Sequence, residues 1–239
     1  MSSLPMRSSK QNHVKLRFDY NPLRDARNIL ESSRLSLDQS LCYLVGCGGS
    51  IRPEATTWQQ LVRATSAFER EHDVLIREVI ASLINYWAIF RKPVLLCLQK
   101  IFGETLPPEV VDVYLTSCTR CPYDPTAPSF MVSIWASPLE AVYTCAHELF
   151  HIHFWTINKR QIRTLRDAAC SELLESFIAI LNEELPKYLP VLGSCCRTDS
   201  ADAKLVRDVW RKTKNLRQVE REVWKQLAKG RSRYSQEAA

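Results

Sequence analysis

The segment from Ser137 to Trp155 constrains the fold more than any other part of the sequence, because it joins a complete helix start to a nearly apolar run. Ser137, Pro138 and Glu140 occupy the N-cap, the first position and the third position of a helix, where each residue type is favoured. Small or apolar residues fill most positions as far as Trp155, interrupted mainly by three histidines and a glutamate. We therefore predict a largely buried helix whose few polar side chains need partners.

The spacing of the histidines sorts them by helix face. His147 and His151 are four residues apart and project from one side, which is the separation that two ligands of one tetrahedral zinc ion require. Glu148 borders the same face and can reach a metal-bound water without ligating the metal. His153 lies about 200° around the axis from His151, so it faces away from that site. The H-E-x-x-H pattern predicts a metal site, the alternative being two core histidines with hydrogen-bond partners.

Residues 144–155 resemble the active-site helix of the zincin metallopeptidases, and the resemblance extends over about residues 129–185. The longer metzincin pattern is absent, because Phe154 and Ile157 stand where its glycine and its third histidine would be. The resemblance to the gluzincin group implies a third zinc ligand from a glutamate on the following helix. It also implies that the strand over 129–136 can pair with an extended substrate.

The helix predicted over about 166–185 carries the candidates for this third ligand. We favour Glu172, which follows His151 by 21 residues and has small side chains beside it at helical spacing, namely Ala168, Ala169, Ser176 and Ala179. Such a stripe would let two helices approach closely enough to share one ion. Glu175 is the alternative, because Glu-Ser-Phe also resembles the pattern of some gluzincins. Asp167 is a further candidate, which is equally a helix-terminal residue.

The resemblance assigns roles to these groups. Three protein ligands leave the fourth zinc position for a water, whose proton Glu148 accepts and passes to the leaving amine. Tyr143, Asp167 and Tyr188 are the candidates for stabilising the transition state or orienting a ligand. The expected function is therefore that of a zinc-dependent peptidase acting on a peptide or protein, with Zn²⁺ as its cofactor.

The C-terminal segment suggests an alternative function. Residues 201–239 contain eleven Lys and Arg against five Asp and Glu, so they carry the whole net charge of +6. An amphipathic helix with a solvated basic face accounts for this charge, and so does a surface that binds a partner or nucleic acid. In that second case the chain would be a metal-binding regulatory or interaction protein with little turnover. The segment could equally cover the cleft of a latent peptidase.

Periodicity predicts a mostly helical α+β fold with about three strands, over residues 13–19, 110–117 and 129–136. The small sheet is expected beside the histidine helix and the glutamate-bearing helix that follows it. We expect residues 1–11 to be disordered and 12–199 to form one domain. Residues 200–239 are expected to form a basic amphipathic helix that packs on this domain or extends from it.

The sequence also indicates a cytoplasmic address. The N-terminus lacks the apolar core of a secretory signal. The most apolar stretch, residues 74–90, is broken by Arg77, Glu78 and Asn85, so we expect no membrane span. The nine cysteines are odd in number and scattered, which is typical of reduced core residues rather than of a disulfide framework.

Overall fold

The computed structural model describes residues 14–35, 57–103, 110–162, 167–189 and 200–236. The disorder expected for residues 1–11 concerns a segment outside these ranges. The described residues form, in chain order, β1 (Lys15–Tyr20), α1 (Pro22–Leu35), α2 (Trp58–Glu71), α3 (Asp73–Phe102), β2 (Val110–Thr116), β3 (Tyr123–Asp124), β4 (Ser129–Ser133), α4 (Pro138–Ile162), α5 (Asp167–Tyr188), α6 (Ala201–Thr213) and α7 (Leu216–Gln236).

The fold is mostly helical with a small mixed sheet, which confirms the α+β class. The sheet has the strand order β1-β2-β4-β3, so it contains one strand more than the sequence indicated. β1, β2 and β4 are parallel, and the two-residue β3 pairs with β4 in the antiparallel sense. Because parallel strands end at the same edge of a sheet, the loop after β2 and the start of α4 lie near each other.

α4 begins as the sequence predicts. The backbone N–H of Ser137 donates to Glu140 Oε2 at 2.8 Å, and the N–H of Glu140 donates to Ser137 Oγ at 3.3 Å, which completes a capping box. The helix then crosses the core, where Leu149, Phe150 and Ile152 are buried. This burial fixes the rotation of α4, and with it the direction in which its histidines point.

The C-terminal segment forms two helices rather than the single helix predicted over 200–239. Lys214 adopts the left-handed conformation with φ of 48° and ends α6, and Asn215 Oδ1 accepts from the Gln218 N–H at the start of α7. Both helices pack on the domain. Asn158 of α4 donates to the buried Glu220 of α7 at 2.8 Å.

α3 is the helix with the most exposed apolar surface. Among the described residues it alone is long and apolar enough to cross a membrane. Of its most apolar 18-residue stretch, 17% is buried inside the protein. One of its faces, which includes Leu83, Trp87 and Val94, packs into the core. Ile84 and Ile89 on its other sides are exposed. The expectation that no segment spans a membrane stays a prediction.

Glu184 of α5 links three helices at the centre of the helical layer. Its side chain is 0% exposed, and it receives four donors: Trp210 Nε1 at 2.8 Å, Lys214 Nζ at 3.0 Å, Lys187 Nζ at 2.7 Å and Lys100 Nζ at 3.1 Å. Burial raises the pKa of this carboxyl, but the hydrogen bonds from these partners outweigh burial and hold the pKa at about 2. The carboxylate therefore stabilises the packing of α3 and α6 on α5 while it is ionised.

We expect Glu184→Gln to lower the free energy of unfolding at pH 7 by roughly 1–3 kcal/mol, because Lys100, Lys187 and Lys214, which are about half exposed, lose their counter-charge. Since the folded-state pKa is depressed, the stabilisation is full above the ordinary value of 4.5 and is lost as pH falls towards 2. Urea unfolding at pH 7 and at pH 3 measures the difference in unfolding free energy between the variant and the unmodified chain. This difference should be smaller at pH 3. A difference of equal size at both pH values would contradict the assignment.

Candidate metal centre

Two imidazoles of α4 converge on one point. The Nε2 atoms of His147 and His151 lie 2.9 Å apart, and the two ring planes are inclined by 73°. Residues four apart on a helix are neighbours on one face, which explains why both Nε2 atoms reach the same place. His153 is buried on another side of α4, with its ring edge-on to Phe102. It takes no part in the pair, as the sequence predicts.

Glu175 of α5 brings a carboxylate to this pair. Its Oε1 lies 3.1 Å from His151 Nε2, and its Oε2 lies 3.7 Å from His147 Nε2. One ligand atom from each residue lies within 4.8 Å of the others. A tetrahedral zinc ion with bonds of about 2 Å separates its ligand atoms by about 3.3 Å. Two imidazoles and a carboxylate therefore match zinc in chemistry and in approximate spacing.

The preference for Glu172 as the third ligand is not supported by this geometry, which favours Glu175. The side chain of Glu172 is exposed and lies outside the group of ligand atoms. Of the small residues that favoured it, Ser176 is buried with its Oγ 3.4 Å from the Oγ of Ser200, the N-cap of α6. At Ser176 the surface of α5 therefore meets α6, whereas α4 meets Glu175.

Glu148 lies beside the ligand atoms in a nearly dry environment. Glu148 is 5% exposed, and its Oε1 lies 4.0 Å from His147 Nε2. Its Oε2 is buried without a hydrogen-bond partner among the described residues. Burial raises the pKa of this carboxyl to about 8, with His147 and Arg120 opposing the shift and Glu175 adding to it. Buried carboxyl oxygens usually have a polar partner, so this orphaned oxygen beside His147 fits a site that holds a polar ligand.

The ionisation of the three ligand candidates follows from their surroundings. Burial lowers the pKa of His151, which favours the neutral imidazole with a free lone pair. Burial also disfavours the charged form of His147, but the Glu175 carboxylate, 3.7 Å from its Nε2, and the nearby Glu148 raise its pKa overall. Burial alone would raise the pKa of Glu175, but the two imidazoles beside it lower that pKa overall.

Tyr123 forms a wall of the site that the sequence did not predict. Its ring stacks on His151 with a centroid distance of 4.9 Å and an interplanar angle of 9°. The residue belongs to the two-residue β3, in a turn region without hydrophobic periodicity, so no sequence pattern indicated it. The buried Nδ1 of His151 has no hydrogen-bond partner among the described residues. The plane of this ring is therefore held by stacking on Tyr123 rather than by a hydrogen bond at Nδ1.

The three candidate transition-state or orienting residues lie in different surroundings. The Tyr143 hydroxyl donates to Asn182 Oδ1 at 2.5 Å, and its ring centroid lies 6.1 Å from that of His147. Tyr143 therefore ties α4 to α5 beside the site. Tyr188 is 13 residues beyond Glu175 on the same helix, about 20 Å along the axis, so it is not brought to the site. Asp167 is the first residue of α5, and its side chain lies outside the described part of the structure.

The strand that was expected to pair with a substrate already has a neighbour along its outer edge. β3 pairs with β4 through Phe130 and Ser129, and the Met131 N–H donates to the Pro122 carbonyl at 2.9 Å. These contacts occupy the outer edge of the strand at residues 129–131, so that part of it is not free to pair with a substrate. β3 is the outer strand of the sheet on this side.

Comparisons of the chain with protein-family models, with curated proteins and with solved structures find no match. Inference about function therefore depends on the chemistry of the site.

We expect the protein to bind one Zn²⁺ per chain and the Glu175→Ala variant to bind it roughly 100-fold more weakly or worse, because an anionic ligand is lost. Glu172→Ala is the matched control, since it removes an exposed carboxylate from the same helix. Competition with a chromophoric chelator measures both affinities. If Glu172→Ala weakened zinc binding while Glu175→Ala did not, Glu172 would be the ligand.

Proposed function

We propose that the protein is a zinc-dependent metallopeptidase that hydrolyses peptide bonds in a peptide or protein substrate. The observation that carries this proposal is the position of Glu148, whose buried Oε2 has no hydrogen-bond partner among the described residues and whose carboxyl adjoins a His147–His151–Glu175 ligand set. Two histidines and a glutamate form the ligand set of known catalytic zinc sites in peptidases. The resemblance of residues 144–155 to the zincin active-site helix points to the same reaction.

The residues divide into holding and proton-transferring groups. His147, His151 and Glu175 would hold the ion, which when bound supplies Lewis acidity to a water and to the substrate carbonyl. Glu148 accepts the proton of the attacking water and returns it to the leaving amine. Its surroundings suit both steps, because burial keeps the affinity of this carboxylate for a proton well above that of an exposed one.

The exposure of the site supports a catalytic rather than a structural role. Structural zinc sites are usually closed by four protein ligands, whereas catalytic sites keep one position for water or substrate. Among the residues that the structure describes, three side chains form the ligand group. The Glu175 side chain is 47% exposed, so the carboxylate side of the centre is in contact with solvent. A substrate can therefore reach the ion from the side of Glu175.

A second function, binding of duplex nucleic acid by a metal-binding protein with little turnover, is favoured by a basic stripe on α7. Arg217, Arg221 and Lys225 are exposed and four residues apart, so they lie along one side of the helix. Arg217 is partly neutralised by Glu220, whose Oε2 lies 3.1 Å from its NH1. The other two cations have the spacing and exposure that suit contacts with phosphates.

We expect Glu148→Gln to retain zinc but to cleave peptides about 10²- to 10⁴-fold more slowly, because the amide cannot accept the proton of the water. Cleavage of a fluorescence-quenched peptide library by the zinc-loaded full chain measures this loss, with Glu172→Gln as the control that keeps full activity. A Glu148→Gln variant as active as the unmodified chain would contradict the mechanism. A zinc-loaded chain that cleaves no peptide in a diverse library would contradict the function.

If the second function holds, fluorescence anisotropy should show binding to duplex DNA that weakens with salt. Replacing both Arg221 and Lys225 by Gln should then reduce the slope of log affinity against log salt by about 1.8, or about 0.9 per lost phosphate contact. Replacing Arg91 and Lys92 on α3 by Gln makes the same charge change elsewhere and should leave the slope unchanged. If the two double variants had equal slopes, the α7 stripe would not be the surface that binds DNA.

A further inference from the structure

A groove of about 580 Å³ lies between α1, the start of α2 and the β3–β4 hairpin. Its wall includes Tyr123, the same residue whose ring stacks on His151 of the metal centre. The groove therefore adjoins the centre through one side chain. A peptide that runs in an extended conformation from the centre past Tyr123 would enter the groove.

Two arginines of α1 supply the cationic groups of the groove, whose wall also contains the carboxyl groups of Glu31 and Asp124. Arg24 and Arg27 are one turn apart and both exposed. The Arg24 guanidinium lies 4.1 Å above the ring of Tyr114 and donates to Ser129 Oγ at 3.3 Å, and these contacts hold it in place. Within the described ranges, no carboxylate forms an ion pair with either arginine.

The acidic residues of the groove are engaged elsewhere. Asp124 Oδ1 accepts three hydrogen bonds from Thr126 and Ala127, two of them from backbone N–H groups. Arg24 lies near enough to contribute to the lowered pKa of Asp124, but the hydrogen bonds contribute more. Glu31 lies 3.7 Å from Arg120. The groove thus offers two guanidinium groups whose positive charge is not balanced by a direct carboxylate partner.

The rest of the groove suits the apolar part of a peptide. Trp58 lines it and is 42% exposed, and Leu23 next to Arg24 is also exposed. Large exposed apolar side chains next to fixed polar groups are typical of sites that bury part of a ligand and orient it. An exposed tryptophan beside two arginines matches a short peptide segment that has both an apolar and an acidic side chain.

We infer that this groove binds an acidic side chain, aspartate or glutamate, of the peptide that is cleaved at the metal centre. Arg24 and Arg27 donate charge-assisted hydrogen bonds to the substrate carboxylate, and Trp58 contacts the neighbouring residue. The inference rests on the proposed peptidase function for its substrate. The groove itself is built from residues outside the metal centre, apart from the shared Tyr123.

The test compares peptides that are identical except for Glu or Gln at each position on either side of the cleaved bond. For the zinc-loaded full chain, Glu at one position should raise kcat/KM roughly 10- to 100-fold, mainly through KM. Replacing both Arg24 and Arg27 by Gln should abolish this preference, so that the Glu and Gln peptides are cleaved with equal kcat/KM, while zinc affinity stays unchanged. The control replaces Arg91 and Lys92 by Gln, which makes the same charge change on α3 and should keep the preference.

Other anions serve as further arms of the test. A phosphoserine in place of Glu, and a C-terminal acid in place of an amide, separate a side-chain carboxylate from other negative groups. Stronger selection for either of them than for Glu would overturn the assignment to an acidic side chain. A preference for Glu that survives in the Arg24 and Arg27 double variant would overturn the assignment to this groove.

Direct binding separates failure of this inference from failure of the proposed function. Calorimetric titration of the zinc-loaded Glu148→Gln variant with the Glu and Gln peptides needs no turnover. Tighter binding of the Glu peptide that is lost with the two arginines supports the groove even if no peptide is cleaved. Equal binding of the two peptides overturns the inference, whether or not the chain is a peptidase.

Discussion

The rest of the structure depends on how the polar face of α4 is buried. His151 and Glu148 lie in the core with almost no solvent contact, and burying such groups costs free energy unless partners replace their hydration. α5 supplies one partner, because the Glu175 carboxylate reaches both imidazoles. Glu148 keeps a buried oxygen that no described residue satisfies. We interpret this face as one that a cation and its water would complete, at the junction of a sheet and two packed helices.

A second buried network, outside the metal centre, holds the chain at the end of β2. Asp25 of α1 is fully buried and accepts hydrogen bonds from the hydroxyls of Thr116 and Ser117, from the Ser117 N–H and from the Tyr20 hydroxyl. These contacts fix the chain at the end of β2, from which it runs to β3 and Tyr123. The stacking on His151 and the shape of the groove both depend on this path. Asp25 is not part of the metal centre, but it thus helps to position Tyr123, which contacts His151 of that centre.

The sequence and the structure agree where local periodicity decides the geometry. His147 and His151 could be predicted to share a face, because four residues make just over one helical turn and the capping box starts the helix at a known residue. The choice between Glu172 and Glu175 depends on which helix packs on which side of α5, and this tertiary contact has no local signature. The same holds for Tyr123, whose stacking on His151 comes from a two-residue strand in a turn region.

X-ray absorption spectroscopy of the zinc-loaded protein tests the central claim most directly, because it reports the atoms bound to the ion in solution. We predict a first shell of nitrogen and oxygen at about 2.0–2.2 Å, with a multiple-scattering contribution from two imidazoles and no sulfur. The shell should lose one oxygen in Glu175→Ala and remain unchanged in Glu172→Ala. A sulfur shell at about 2.3 Å, or the absence of imidazole scattering, would contradict the proposed centre.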